Sequence, residues 1–153
     1  MKIESYNNIA MCTSSLHLII SKKKSIELSK ALLIYPLIMH DETLIFLAKK
    51  STKPRRLNSL ISTHPLYFIN YNERFINSLP ISLNSIQFLL STKKILFQKN
   101  LICNSELKIT KQYGKRLSLV EKASDKIIYL LDQPLEELYL GRVKLEVRHK
   151  PPN

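Results

Sequence analysis

The middle of the chain reads IYPLIMH at residues 34–40, KPRRL at 53–57 and FINYNERFINSLPISLNSIQFLLSTKKILFQ at 68–98. An apolar segment containing a Pro and ending in a His is followed by a basic connector, two helical stretches around a Pro turn, and short alternating strands. This order is typical of a helix-turn-helix unit followed by a β-hairpin. Proteins mostly use such a unit to dock on other macromolecules.

The residues around Pro80 define the predicted unit. A helix over residues 65–79 ends at Pro80, because proline lacks the N–H that a helix interior requires. Two strands are expected at residues 95–97 and 107–110, on either side of a polar connector. Together these elements predict a winged-helix-like core over residues 63–112. In the second helix, which Ser82 caps, the residues expected to face inward are Leu83, Ile86, Phe88, Leu89 and Leu90.

The first forty residues predict a helix and a bend. Asn7 and Asn8 are good N-caps for a first helix, which ends in the lysine run at 22–24. Residues 26–39 form either a kinked helix or a short helix followed by a buried strand, because Pro36 interrupts their helical pattern.

The bend and the C-terminal part carry their own helix signals. His40 is expected to cap or orient the bend, and a helix is expected to begin near Asp41. A last long helix covers residues 118–131. Pro134 separates that helix from a final segment, in which Gly141 is the expected helix stop.

These elements predict a mainly α fold of the α+β class. We expect a single compact domain over residues 1–153, because this length suits one domain with a real core. It comprises a helical N-terminal part at 1–62, the winged-helix-like core at 63–112 and C-terminal helices at 113–148.

The chain is strongly basic. Lys and Arg total 24 against 12 acidic residues, which gives a formal net charge of +12. Such an excess favours polyanions or acidic protein surfaces as partners. The alternative is a compositional bias, since Lys, Ile and Asn are all abundant. The candidates for contact with DNA or another polyanion are Lys49, Lys50, Lys53, Arg55, Arg56, Lys93 and Lys94.

Residue types that carry catalysis are sparse and scattered. Cys12 and Cys103 lie far apart, and the four histidines show no metal-ligand spacing. The E-x-K motif at 106–108 lacks the preceding Asp that a metal-dependent nuclease requires. With only two Gly, neither a phosphate loop nor a nucleophile elbow is expected. The sequence therefore predicts a non-enzyme without catalytic residues, metal, cofactor or small-molecule substrate.

The chain carries no signal for export. Its start, MKIESYNNIA, is too polar for a secretory leader. The longest apolar run, residues 31–39, is about half the length that crosses a bilayer. We therefore expect a cytoplasmic protein with reduced thiols and no membrane contact.

An aromatic helix near residue 70 is the candidate docking surface. Its rings form core by default, but part of the set is expected to face a partner. Arg74 is either half of a local structural pair or an interface anchor. The partner-interface candidates are Tyr67, Tyr71, Arg74 and Phe75.

Four stretches together resemble a known family: YNNIAMC (6–12), LLIYPLIMH (32–40), the long segment from Arg55 to Ile95, and LYLGRVKLE (138–146). They are similar to the middle component of ABC three-component systems. The resemblance covers nearly the whole chain. The positions that match the family pattern are Pro36, His40, Arg74, Pro80 and Gly141.

Two positions depart from the family pattern. Ile127-Ile128-Tyr129 stands where the family often has a Trp in its last helix. Thr43 is followed by Leu44 instead of an Arg, and the arginines come later, at 55–56. Both departures bear on the exact partner surface.

The resemblance implies a Lamassu-like anti-phage or anti-plasmid system. There the middle component is a non-catalytic adaptor between an SMC-like ABC ATPase and an effector, often a nuclease. It holds the effector inactive until foreign DNA is sensed, so DNA contact is expected mainly through the complex. The alternative is a stand-alone winged-helix regulator that binds DNA itself, although the helix after Pro80 has few long polar side chains for base edges.

Overall fold

The computed structural model describes the backbone of residues 3–139 and the side chains of residues 8–139. In that range the fold is mainly α, as predicted, with one small antiparallel sheet. The α-helices are α1 (Ile3–Lys23), α2 (Leu28–Ala31), α3 (Ile34–Ile38), α4 (Asp41–Ala48), α5 (Leu57–Thr63), α6 (Tyr71–Ser91) and α7 (Gly114–Leu131). The strands are β1 (Ser25–Ile26), β2 (Ile95–Phe97) and β3 (Leu101–Cys103). Single 3-10 turns cover Pro65–Phe68 and Lys111–Tyr113, and residues 135–139 are again helical.

The core forms where α1 crosses the two other long helices. α1 packs along α6 and α7, and α4 packs against α7. Leu16, Ile19 and Ile20 of α1 are fully buried. Their spacing of three to four residues places them on one helical face. The prediction that Asn7 and Asn8 cap α1 is wrong, because α1 already begins at Ile3.

Pro80 does not end a helix. α6 continues through it without a break, so the predicted turn at this position is wrong, and the winged-helix-like core is not confirmed. Pro80 lies on the exposed face, where water can satisfy the backbone carbonyl that proline leaves without a donor. Packing of the opposite face against α1 offsets the local cost of the proline.

The continuous helix also changes which side chains face inward. Ile86 and Leu89 are buried as predicted, and Leu90 is half-buried. Leu83 and Phe88 are instead 48% and 56% exposed. The helical phase is set by the contact with α1 and runs unbroken from Tyr71, so it does not restart at Ser82.

The sheet differs from the predicted hairpin in its second strand. β2 at Ile95–Phe97 is confirmed, but it pairs with β3 at 101–103 and not with residues 107–110. A short turn joins them, in which the Gln98 amide donates to the Asn100 carbonyl at 3.1 Å. β3 also pairs antiparallel with β1, so the strand order is β1-β3-β2. Residues 101–103 pair with β2 in place of residues 107–110, because a shorter connecting loop loses less conformational entropy on closure.

Residues 26–39 form neither of the two predicted arrangements completely. The segment holds a short strand end at Ile26 and the two short helices α2 and α3. Pro36 lies inside α3 and is buried. Pro36 lies in the first turn of α3, where a backbone N–H has no acceptor within the helix, so the missing N–H of proline costs no helical hydrogen bond.

The ends of α4 are tied to α7. Arg116 donates to the Ile38 carbonyl at 2.7 Å and forms an ion pair with Asp41 at the start of α4. Lys126 donates to the Leu47 carbonyl at 2.8 Å at the other end. A cation at a helix C-terminus and a carboxylate at an N-terminus both suit the helix dipole. These contacts confirm a helix start near Asp41 and fix α4 against α7.

Three other predicted boundaries hold, but the helix predicted from residue 65 begins only at Tyr71, after the 3-10 turn Pro65–Phe68. The chain breaks at His64–Pro65, residues 49–56 form a loop, and the last long helix ends at Leu131. That helix begins at Gly114, four residues earlier than predicted. Gly141 and the end of the predicted C-terminal part at 148 lie outside the described residues.

Candidate partner-binding surfaces

Arg74 joins three separate segments of the chain. Its guanidinium donates from Nη1 to the Pro36 carbonyl at 3.1 Å, and from Nη2 to the carbonyls of Tyr67 at 3.1 Å and Ile69 at 3.3 Å. The same group lies 5.5 Å from the centre of the Tyr71 ring. Partial burial lowers the pKa of Arg74. A planar fork with several donors suits such a cluster of carbonyls, which a lysine cannot bridge.

His40 extends this group of contacts. It is the N-cap of α4, and its Nδ1 accepts from the Thr43 amide at 3.4 Å. The Thr43 hydroxyl donates to the Tyr67 carbonyl at 2.7 Å, which is the carbonyl that Arg74 also contacts. Burial and the nearby charge of Arg74 lower the pKa of His40. The expected capping role is confirmed, and Pro36, His40, Thr43, Tyr67 and Arg74 together form what we call the Arg74 clasp.

The four predicted interface residues divide into two pairs. Tyr71 and Phe75 are only 4% and 5% exposed, so their rings belong to the core. The Tyr71 hydroxyl donates to the Leu33 carbonyl at 3.2 Å. Tyr67 and Arg74 are partly exposed at the rim of the clasp. A partner role for Tyr67 and Arg74 stays a prediction, and Tyr71 and Phe75 can support such a surface only from beneath.

α6 carries an apolar stripe that sequence reasoning missed. Ile76 and Leu83 are 53% and 48% exposed, and Pro80 lies between them at helical spacing. Phe88 is also exposed, at 56%, but it comes five residues after Leu83 and so lies about 140° further around the helix. Counting helical positions straight through Pro80 would have located these residues outside. We call Ile76, Pro80 and Leu83 the α6 stripe.

The predicted basic loop is exposed and firmly anchored. Its cations are Lys49, Lys50, Lys53, Arg55 and Arg56, and all five are exposed. At its root, Thr52 donates to the Phe46 carbonyl at 2.6 Å. Arg56 lies 3.9 Å from Glu137, whereas the other four have no carboxylate partner within residues 8–139. The loop therefore presents largely unneutralised charge on a fixed base.

Lys93 and Lys94 lie in another part of the fold. They form the turn between α6 and β2, where Asn104 donates to the Lys93 carbonyl at 2.7 Å. Both side chains are exposed. No hydrogen bond or ion pair between described residues joins this turn to the basic loop. The seven predicted cations thus lie in two different segments of the fold, the loop between α4 and α5 and the turn between α6 and β2.

The lysine run at the end of α1 behaves differently. Lys22, Lys23 and Lys24 form ion pairs with Asp125, Asp132 and Glu106, respectively. These carboxylates partly neutralise the run. The run therefore differs from the basic loop, in which only Arg56 has a carboxylate partner among residues 8–139.

A protein-family model covers residues 3–134, and it describes the ABC-three component (ABC-3C) system Middle Component 3. The chain belongs to this family. The resemblance to a middle component that the sequence suggested is thereby confirmed. As a middle component, the chain has its partners within the same system. No curated protein matches the chain, and no solved structure matches it.

The described part of the chain also bears on metal binding and membrane insertion. No group of three or more His, Cys, Asp or Glu side chains that could hold a metal ion occurs among residues 8–139. No single helix in the described part of the chain is long and apolar enough to cross a membrane. The segments Leu28–Ile38 and Asp41–Ala48 reach that length and composition only together, with a bend of 101° between them.

Proposed function

We propose that this middle component is a non-catalytic adaptor that links an SMC-like ABC ATPase to an effector, often a nuclease, in a Lamassu-like defence complex. The observation that carries the proposal is the match of residues 3–134 to a middle-component family. A middle component acts by contacting the other subunits of its system. The adaptor therefore needs surfaces that are apolar, exposed and rigid.

The α6 stripe supports a docking role. It lies on a helix of 21 residues whose opposite face is packed against α1, so the stripe cannot move independently of the core. Exposed apolar groups in a row on one face commonly mark protein interfaces. We assign the stripe to contact with one partner subunit, and the surface of Tyr67 and Arg74 to a second contact.

Co-purification with the other two subunits of the same system tests the adaptor role. We expect the tagged chain to recover the ATPase and the effector in stoichiometric amounts, and Leu83→Glu to reduce recovery of one of them at least about tenfold, since interface hot spots cost 2 kcal/mol or more. Tyr129→Glu is the matched control, because Tyr129 is 51% exposed on α7, away from the stripe. Recovery of the chain alone under these conditions would contradict the adaptor proposal.

The second candidate is a stand-alone DNA-binding regulator. The observation that favours it is the open charge of Lys49, Lys50, Lys53 and Arg55. This function predicts tight, sequence-specific duplex binding by the isolated chain, with affinity that falls steeply as salt rises. It also predicts a dimer on palindromic sites. Gel-filtration and duplex titration of the purified chain distinguish the two functions.

A further inference from the structure

Three aromatic rings stack beside the basic loop. Phe46 of α4 lies 4.6 Å from Tyr67, centre to centre, with 22° between the ring planes. His64 lies 4.6 Å from Phe46 and 5.9 Å from Tyr67, and its plane is 19° from that of Tyr67. The three residues come from α4, from the end of α5 and from the following 3-10 turn. We call Phe46, His64 and Tyr67 the ring stack.

The ring stack is the shared wall of two adjoining recesses. One, of about 490 Å³, is mainly apolar and includes Ile45 and Leu66, which are 47% and 69% exposed. The other, of about 410 Å³, is polar and is lined by Lys53 and Arg55 of the basic loop. Lys49 contributes to both recesses. Each volume lies in the range of small-ligand sites, about 300–1,000 Å³.

The groove is held in shape by the surrounding contacts. The backbone of Tyr67 is fixed by the Thr43 hydroxyl and by Arg74. Phe46 is fixed through its carbonyl, which accepts from Thr52 of the basic loop. Rigid walls reduce the entropy that a ligand must remove on binding.

We propose that this groove binds a nucleotide. The base lies against the ring stack on the apolar side, and the phosphate lies against Lys49, Lys53 and Arg55. Base–aromatic stacking accepts every base, because each has a π-face, and neighbouring cations track the phosphate. Glu42 lines the apolar recess and repels phosphate, so the phosphate is expected on the side of the basic loop.

A single strand of nucleic acid and a free nucleotide share this chemistry. The inference goes beyond the adaptor role and does not rest on it, since the isolated chain suffices for the test. Partner capture is tested at Leu83 of the α6 stripe and nucleotide binding at Lys53, Arg55 and His64, so either result can fail without the other.

Fluorescence anisotropy with a labelled ten-residue oligothymidylate, and calorimetry with AMP and ATP, test the proposal on the full chain. We expect Lys53→Glu combined with Arg55→Glu to weaken binding at least about tenfold. The matched control is Lys93→Glu combined with Lys94→Glu, which changes the net charge equally at the turn between α6 and β2 and is expected to retain more than half of the affinity.

A second pair of variants tests the rings. Loss of one stacked ring costs about 1–3 kcal/mol per base, so His64→Ala is expected to weaken binding about five-fold or more. Tyr129→Ala removes an exposed ring elsewhere and is expected to leave binding unchanged. Far-ultraviolet circular dichroism and thermal melting confirm that each variant is folded.

The outcomes separate the ligand sources. If the oligonucleotide binds and AMP and ATP do not, the groove is assigned to single-stranded nucleic acid. If AMP or ATP binds, the groove is assigned to a free nucleotide. Both results support a nucleotide site. The proposal would be overturned by absence of all binding, by an equal loss of affinity in the Lys93 and Lys94 control, or by an unchanged affinity in His64→Ala.

Discussion

The guanidinium of Arg74 donates a hydrogen bond to the backbone carbonyl of Pro36 at 3.1 Å. The two residues are 38 positions apart, and both match the family pattern by which the sequence resembles a middle component. The same side chain reaches two further carbonyls, and its Nε is buried with no hydrogen-bond partner among the described atoms. Arg74 of α6 therefore holds α3 and the 3-10 turn Pro65–Phe68 in place against α6.

Replacing Arg74 should destabilise the fold. We expect Arg74→Ala to lower the free energy of unfolding by about 2–4 kcal/mol, because carbonyls that accept from a charged donor lose their partner. Arg74→Lys should recover less than half of the loss, since an ammonium cannot bridge the three carbonyls. Urea unfolding measures both.

Arg55→Ala is the control for this series. Arg55 is exposed in the basic loop, where a substitution is expected to change stability by no more than about 0.5 kcal/mol. Equal effects at positions 55 and 74 would show that the clasp contributes nothing to stability.

His40 should make stability depend on pH. The folded chain lowers its pKa from the ordinary value of 6.5, so the unfolded chain binds the proton more readily. Its contribution is complete above pH 6.5 and is lost as the pH falls through the lower folded pKa. His40→Asn retains a good N-cap but does not titrate. Unfolding measured between pH 7.5 and 5 should show a larger loss of stability in the parent chain than in this variant, and parallel curves would refute the assignment.

Removing the proline inside α6 should stabilise the protein. Pro80 is exposed, and a helix-interior proline costs about 3 kcal/mol relative to alanine. We expect Pro80→Ala to raise the free energy of unfolding by about 1–3 kcal/mol and to raise the melting temperature. Asn84→Ala, on the same exposed side, should change stability by about 0.7 kcal/mol or less. A destabilised Pro80→Ala would mean that the core depends on the local geometry of the proline.

Cys12 should be inert in the native state. Burial raises the pKa of its thiol to about 11, and the neighbouring hydroxyls of Ser85 and Ser82 only partly offset this. At pH 8 its thiolate fraction is about two orders of magnitude below that of an ordinary cysteine. In Cys103→Ser, a thiol reagent should label Cys12 only as urea unfolds the chain. Rapid labelling of the folded variant would contradict the buried position.

Local signals in the sequence were sufficient for several elements. The lysine run that ends α1 and the carboxylate at Asp41 that starts α4 each act over a few residues, so the structure follows them closely. The basic loop was likewise evident from its charge and Pro54. The Arg74 clasp was not evident from the sequence. Its contacts join one guanidinium to backbone carbonyls of segments that are far apart along the chain.

Pro80 and the second strand of the hairpin are two features that local sequence patterns predicted wrongly. Proline disfavours a helix by itself, but here packing of α6 against α1 outweighs that preference. Strand pairing depends on which segment the turn brings close to β2, and β3 is reached by a shorter turn than residues 107–110. The ring stack likewise unites Phe46 with two residues far along the chain, and neither Phe46 nor His64 was a candidate before the fold was known.

The sequence by itself determined the mainly α composition, the family resemblance and the basic character, because these depend on residue types and short-range periodicity. The tertiary structure alone decided the course of α6 through Pro80, the outward position of Leu83 and Phe88, and the meeting of Pro36 with Arg74. Those outcomes depend on the free energy of packing between distant segments, which no local pattern encodes.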